Sequence, residues 1–146
     1  RVNEHGVWML EAAARPIGGI CSRVIRFESG MGLEEAILRH ALGEDLSRLH
    51  LAPGAHGVMM IPVPRAGIYS GVNGIEQACG VEGVEEIEIT AKPGQALVPL
   101  PEGASYLGFI FARGASSGVV DASLRAVHSL LRFEIAGTLP LIRQQS

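Results

Sequence analysis

Basic residues are too few in this sequence to form a surface that binds nucleic acid. Lys92 is the single lysine, no cluster of lysines and arginines occurs, and the formal net charge is −3. Proteins bind the nucleic-acid backbone largely by releasing its counterions, which requires a basic face. We therefore expect no nucleic-acid partner.

Long hydrophobic runs and a secretory signal are also missing. Although 47% of the 146 residues are hydrophobic, they occur in short stretches. A helix that crosses a bilayer needs roughly 20 consecutive apolar residues. No stretch with the basic start, apolar centre and small-residue end of a signal peptide opens the sequence. We therefore expect a cytoplasmic protein with no membrane partner.

Cysteine and histidine are too scattered to indicate a metal-binding cluster. Cys21 and Cys79 form no Cys-x-x-Cys pair, and we interpret both as unpaired, buried thiols in a reducing compartment. The five histidines show neither His-x-His nor HExxH spacing. Each histidine is therefore interpreted as structural.

The most informative stretch is WMLEAAARPIGG at residues 8–19, where an apolar run reaches Glu11 and Arg15 follows before a glycine pair. The run predicts that residues 7–12 form a buried strand, which would deliver Glu11 to the end of a sheet. Residues 3–6 (NEHG) predict a hairpin turn. We therefore expect the pairing strand, and the other half of any site, to precede the first residue.

The residue types in this stretch suit magnesium and phosphate. Glu11 is a candidate magnesium ligand, because Mg²⁺ usually binds one or two carboxylates together with substrate phosphates. Arg15 is a candidate catalytic residue, because its planar guanidinium matches a phosphate group. Gly18 and Gly19 would let the backbone approach a substrate or phosphate closely. The alternative is a simple ion pair between Glu11 and Arg15, since so short a motif has low specificity.

The remaining pattern predicts a small α+β unit. A turn is expected at 71–74, and the nearly all-apolar strand 106–112 suits burial on both faces. Apolar residues at helical spacing predict helices at 20–27, 33–42 (ended by Gly43) and 75–79. Strands are predicted at 57–64 (at a sheet edge), 85–91 and 96–100. A last helix is predicted to be capped by Ser116 or Ser117, and its residues facing the core would be Val120, Leu124, Val127 and Leu131.

Two groups of side chains have competing interpretations. Aromatic residues in the strand at 106–112 suggest a platform for stacking bases, but we favour packing in the core, because basic residues do not alternate with them. The acidic residues near 85–91 are interpreted as a solvated face. The members of the two groups are Tyr106, Phe109 and Phe111, and Glu82, Glu85, Glu86 and Glu88.

Two stretches resemble the ATP-grasp ligases. WMLEAAARPIGGICSRVIRF, followed by LEEAILRHALG, is similar to the end of the catalytic domain, where the last strand carries a metal-binding glutamate in a Glu-x-Asn-x-Arg motif. ITAKPGQALVPLPEGASYLGFIFARGASSGVVDASLRAVHSLLRFEI resembles the small C-terminal domain of the L-amino acid ligase type. The segment PEGASYLGFIFARG favours this type over carboxylase-like or purine-pathway branches of ATP-grasp enzymes.

The resemblance implies an α+β fold in three parts. Residues 1–50 would be the C-terminal remnant of an ATP-grasp catalytic domain. Residues 51–135 would form a small C-terminal domain with a mainly antiparallel sheet and packed helices, and residues 136–146 would be a tail. The resemblance also implies the function, an ATP- and Mg-dependent carboxylate–amine ligase that acts on amino acids through an acyl phosphate.

The resemblance assigns roles to individual residues. Glu11 matches the magnesium-binding glutamate, and Arg15 matches the arginine that stabilises the transferred phosphate and the oxyanion. Ala13 stands where many family members have the asparagine, which leaves one protein ligand for the metal. We also expect Arg65, in an exposed turn, to reach the substrate.

The family's glycine-rich phosphate loop, nucleotide-binding lysines and second metal-binding acid lie in lobes that precede the matching segment. No GxxxxGK stretch occurs here, so we expect ATP to bind mostly outside this chain and the isolated chain to be inactive. The expected partners are the missing N-terminal lobes, the carboxylate and amine substrates, and a second copy of the chain in a homo-oligomer. The alternative is a non-catalytic interaction or oligomerisation module.

Overall fold

The structure is a computed structural model that describes residues 1–13, 15 and 17–137. It confirms an α+β fold with antiparallel sheets. In this part of the chain the strands are β1 (Val2–Asn3), β2 (Gly6–Val7), β3 (Ala55–Ile61), β4 (Gly67–Asn73), β5 (Val84–Ile89), β6 (Ala96–Leu97), β7 (Gly108–Gly114) and β8 (Arg132–Ala136), and the helices are α1 (Leu33–Ala41), α2 (Ile75–Cys79), α3 (Ser117–Leu130) and a short 3₁₀ helix, Cys21–Val24.

The central strand β7 is buried on both faces, as its apolar sequence predicts. It lies between β3 and β5 in the first three-stranded sheet, with Ile110 and Ala112 in the main core. Phe109 and Phe111 point to the other face, where they pack with the buried Cys21. Because side chains alternate along a strand, one short segment forms part of two separate apolar clusters.

Helix α3 covers one face of this sheet. The Ser116 hydroxyl caps it by accepting a hydrogen bond from the Val119 N–H, at 3.4 Å, which satisfies one free donor of the first turn. The predicted core stripe is confirmed, since all four residues are at most 7% exposed. Those residues are Val120, Leu124, Val127 and Leu131.

The second sheet has the order β6–β4–β8 and shares the main core through Tyr69, Leu97 and Ile135. The turn predicted at 71–74 is wrong, because Gly71 lies inside β4 at an irregularity in its pairing with β8. A glycine in a strand interior often marks such a bulge rather than a turn. Strand β8 was not predicted, and its pairing with β4 is a contact between distant parts of the chain.

The N-terminal hairpin is present, but the buried strand predicted after it is not. Val2 pairs with Val7 and Asn3 with Gly6, so the turn at 3–6 is confirmed, while its pairing strand lies within the chain. Residues 8–13 are exposed and belong to no strand or helix. The prediction of a strand at 7–12 fails because, among the described residues, backbone pairing ends at Trp8, which exchanges two hydrogen bonds with Arg1.

The helix predicted at 20–27 is reduced to the 3₁₀ helix Cys21–Val24. Its first residue has no side-chain cap, and Phe27 pairs with Leu51 in an isolated bridge. Helix α1 is present as predicted and is followed by Gly43, whose φ of 85° suits a helix end. Leu38 of α1 and Leu42, directly after the helix, are nevertheless 65% and 82% exposed.

Ser22 joins the 3₁₀ helix to α1. Its buried hydroxyl donates a hydrogen bond to the Glu34 carboxylate. This bond, with a smaller contribution from the Glu34 backbone N–H, lowers the pKa of Glu34 below its usual value.

Among the described residues, no helix is long and apolar enough to cross a membrane.

Replacing Gly57 by alanine should destabilise the sheet–helix contact. A Cβ at Gly57 would lie 2.6 Å from Val120 Cγ1, and overpacking of this kind typically costs about 1–3 kcal/mol. We expect urea unfolding to show a lower midpoint for Gly57→Ala. Gly118→Ala is the matched control, since its Cβ would meet nothing closer than 4.0 Å and alanine favours a helix. Equal stability of the two variants would contradict this packing.

Replacing Ser22 by alanine should raise the pKa of Glu34 toward its usual value, as followed by an NMR titration of the carboxyl carbon. Because the folded-state pKa is lowered, the bond contributes stability above the unfolded-state pKa and loses it as the pH falls through the folded-state value. Ser29→Ala is the control, since the Ser29 hydroxyl accepts a hydrogen bond from the Met31 N–H at 3.4 Å. An unchanged Glu34 titration in Ser22→Ala would refute the assigned bond.

Candidate functional site

A cavity of about 610 Å³ lies between the described residues of segment 15–21, which are 15 and 17–21, and the first sheet. Its volume is in the range of small-molecule sites. Three of the predicted site residues, Arg15, Gly18 and Gly19, line it together with residues from the other half of the chain. The rest of the described lining comprises Ile17, Cys21, Met60, Thr90, Gln95, Ala104, Ser105, Tyr106 and Phe109.

The apolar wall of the cavity follows from the register of the sheet. Met60 in β3 pairs with Phe109 in β7, so both side chains lie on the face opposite α3. Gly19 lies against the Phe109 ring, and a Cβ there would lie 3.3 Å from Phe109 Cζ. Its φ of 65° also favours glycine. Gly19 therefore allows a close approach of the backbone to the sheet.

The polar lining comes from the ends of strands and the loops beside them. The backbone N–H groups of Thr90 and Ala91 donate to the Leu107 carbonyl at 3.0 and 3.1 Å, which fixes this loop beside Tyr106. The Gln95 side-chain oxygen accepts a hydrogen bond from the Lys92 N–H at 3.1 Å. Sequence reasoning did not single out Thr90, Gln95 or Ser105, because no motif marks polar loop residues that only the fold brings together.

Tyr106 differs from the other two aromatic residues of its segment. Phe109 and Phe111 are 8% and 3% exposed, and their rings stack with centroids 6.5 Å apart. Their predicted role in core packing is confirmed. Tyr106 is half-buried and lines the cavity, so it can present a hydroxyl to a ligand there.

Arg15 brings a positive charge to the cavity wall. Among the described residues that line it, Arg15 alone carries a formal charge. The remaining lining combines hydroxyl and amide groups with an apolar wall. A cation beside such a surface suits an organic anion that carries a carboxylate or phosphate group.

Glu11 and Arg65 are placed elsewhere. Glu11 lies in the exposed segment 8–13 and is not among the described residues of the cavity wall. The Arg65 guanidinium donates to the Ile135 carbonyl, at 2.8 Å, at the end of the second sheet. Within the described ranges, no group of three or more histidine, cysteine, aspartate or glutamate side chains is arranged to hold a metal ion.

An arginine two positions beyond segment 15–21 ties this part of the chain to the sheet. The Arg23 guanidinium binds both Glu86 and Glu88 of β5. Glu86 and Glu88 still belong to an exposed face, as predicted, since their side chains are 45% and 36% exposed, and they form ion pairs with another element in addition. Cys21 is buried and Cys79 exposed, and both are free, so only the predicted burial of Cys79 fails.

Comparisons with known proteins agree with one another. The family model described as L-amino acid ligase C-terminal domain 2 matches residues 59–136. The structure is similar to the crystal structure of L-amino acid ligase from Bacillus licheniformis, with a TM-score of 0.62 and 21% identity. That match covers 74% of this chain and 27% of the ligase chain, so this chain corresponds to about a quarter of that ligase.

A comparison with curated protein sequences gave no match. The structural likeness establishes the shared fold, and the family match covers more than half of the 146 residues. The matched region contains Met60, Thr90, Gln95, Tyr106 and Phe109 of the cavity wall. The chain therefore belongs to the L-amino acid ligase C-terminal domain 2 family.

Proposed function

We propose that this chain is part of an ATP-grasp ligase that joins the carboxylate of one amino acid to the amine of another, and that the cavity belongs to its substrate site. One observation carries this proposal: Arg15, Gly18 and Gly19 line the same cavity as residues of the family-matched region. Residues from two distant parts of the sequence thus meet around a space of suitable size.

Arg15 has the central role in the proposed reaction. A carboxylate oxygen of the substrate attacks the terminal phosphorus of ATP, and the bond to the leaving ADP breaks. The amine then attacks the carbonyl carbon of the acyl phosphate, phosphate leaves, and the amine nitrogen loses a proton. The guanidinium binds the transferring phosphoryl group and then the oxyanion, since such reactions depend on positioning and charge neutralisation.

Glu11 fits a magnesium site only as one contributor. It offers a single carboxylate, and Ala13 offers no oxygen from its side chain. Mg²⁺ is commonly held by one or two carboxylates plus substrate phosphates, so the further ligands would come from ATP and other parts of the enzyme. When bound, the metal ion would neutralise phosphate charge.

The rest of the cavity would orient the substrate and exclude water. Met60 and Phe109 offer an apolar wall, while Tyr106 and Gln95 offer polar groups beside it. A site that excludes water protects an acyl phosphate from hydrolysis before the amine attacks. Arg65 is the weakest of the proposed substrate contacts, because its observed partner is a backbone carbonyl.

Exposed apolar side chains support packing against further protein. Val7, Met9 and Leu10 are 81%, 82% and 79% exposed, and Ile37 and Leu38 of α1 are 43% and 65% exposed. Contiguous apolar surface usually marks an interaction site. We propose that the other lobes of the ligase cover this surface. We also propose that the enzyme is cytoplasmic.

The second candidate function is a non-catalytic interaction or oligomerisation module, and the same exposed apolar surface supports it.

Arg15→Ala in the full-length enzyme should abolish most amino-acid-dependent phosphate release. Loss of one group that stabilises developing charge typically lowers kcat about 10²–10³-fold. The variant Arg15→Lys should retain part of the activity, because it keeps the charge without the bidentate geometry. Arg48→Ala is the control for loss of a surface arginine. Full activity of Arg15→Ala would rule out the proposed role.

The chain alone should neither bind ATP tightly nor catalyse ligation, because it supplies no phosphate loop. Calorimetric titration of the 146-residue chain with Mg-ATP checks this, and micromolar binding would contradict it. A full-length protein that forms a stable oligomer in sedimentation but releases no phosphate with any amino acid would favour the interaction module.

A further inference from the structure

We propose that Arg23 is a positioning residue for Arg15. Its ion pairs with Glu86 and Glu88 hold residues 17–21 against the first sheet, where Arg15 lines the cavity. This inference rests on the proposed role of Arg15 in phosphoryl transfer.

The geometry of the ion pairs suits an anchor. Arg23 Nη1 lies 3.0 Å from Glu86 Oε1 and 2.5 Å from Glu88 Oε2. The two glutamates stand two positions apart on β5 and therefore share one face of the sheet. One guanidinium binding two carboxylates of a paired strand is restricted in direction more than a single exposed ion pair would be.

The anchor borders the cavity wall directly. Glu88 pairs with Phe109 and Glu86 pairs with Phe111, so the carboxylates lie beside the aromatic residues that pack against Cys21. Phe109 is also the ring that lies against Gly19. The contacts of segment 15–24 with the sheet are therefore apolar at the cavity and ionic next to it.

Segment 15–21 needs such an anchor because its own sequence does not fix its conformation. Gly18 and Gly19 have broad conformational freedom, and the described residues among 15–19 belong to no helix or strand. The point at which the chain is held after the glycines therefore contributes to the position of Arg15, together with the contacts of Arg15 itself. A displacement of about 1 Å at a reacting group can cost about 10²-fold in rate.

The ion pairs of Arg23 should affect the position of segment 15–21 and contribute little to the global stability of the protein. The side chains of Arg23, Glu86 and Glu88 are 40%, 45% and 36% exposed, and exposed ion pairs contribute little to global stability. Removing Arg23 should therefore leave the protein folded while shifting segment 15–21. An equally exposed arginine with two glutamate partners exists elsewhere, because Arg39 on α1 binds Glu35 and Glu44.

The test compares Arg23→Ala with Arg39→Ala in the full-length enzyme. We expect Arg23→Ala to lower kcat for amino-acid-dependent phosphate release about tenfold to 10²-fold, with the KM for ATP unchanged. A loss confined to kcat indicates an interaction that acts in the transition state. Arg23→Lys should restore part of the loss, and Arg39→Ala should match the parent enzyme in kcat and in Tm.

Two further variants show whether a negative result contradicts the positioning role of Arg23 or the proposed function itself. The double variant Glu86→Gln/Glu88→Gln should reproduce Arg23→Ala, and it serves as the test if Arg23→Ala does not fold. Adding Arg23→Ala to Arg15→Ala should cause no further loss, because the anchor acts through Arg15. An additional loss in that background, or unchanged kcat in Arg23→Ala while Arg15→Ala is impaired, would overturn the inference alone. Unimpaired Arg15→Ala would instead overturn the proposed function.

Discussion

The two-sided burial of β7 is the constraint on which the rest of the structure depends. Ile110 and Ala112 pack in the main core covered by α3, and Phe109 and Phe111 pack with Cys21 on the opposite face. Burial of apolar surface is the dominant favourable term in folding. Because both faces must be covered, the N-terminal part of the chain is drawn onto the sheet, and the cavity forms where its glycine-rich segment passes over Phe109.

This arrangement gives the small C-terminal domain a direct part in the proposed site. The family-matched region supplies Met60, Gln95 and Tyr106, while Arg15 comes from a segment outside that region. The domain would then act as a platform that sets the position of a charged group, in addition to forming one wall of the substrate cavity. The bare backbone at Gly19, the buried Cys21 and the ion pairs of Arg23 are among the contacts that connect the two parts.

The sequence was informative where local signals decide the structure and misleading where distant contacts do. Ser116 and the apolar stripe of α3 have helical spacing, and the all-apolar segment of β7 indicates burial on both faces. The run at 8–13 looks like a strand, but a strand requires a partner, and among the described residues the backbone pairing ends at Trp8. Thr90 and Gln95 carry no motif, so only the fold reveals that they line a cavity with Arg15.

An experimental structure of the full-length ligase with a non-reactive ATP analogue and an amino acid bound tests the central claim most directly. The account predicts that the ligand's phosphoryl or carboxylate group lies within hydrogen-bond distance of the Arg15 guanidinium, with ligand atoms in contact with Tyr106 or Met60. Ligands bound with no contact to Arg15, and an empty cavity between segment 15–21 and the sheet, would contradict it.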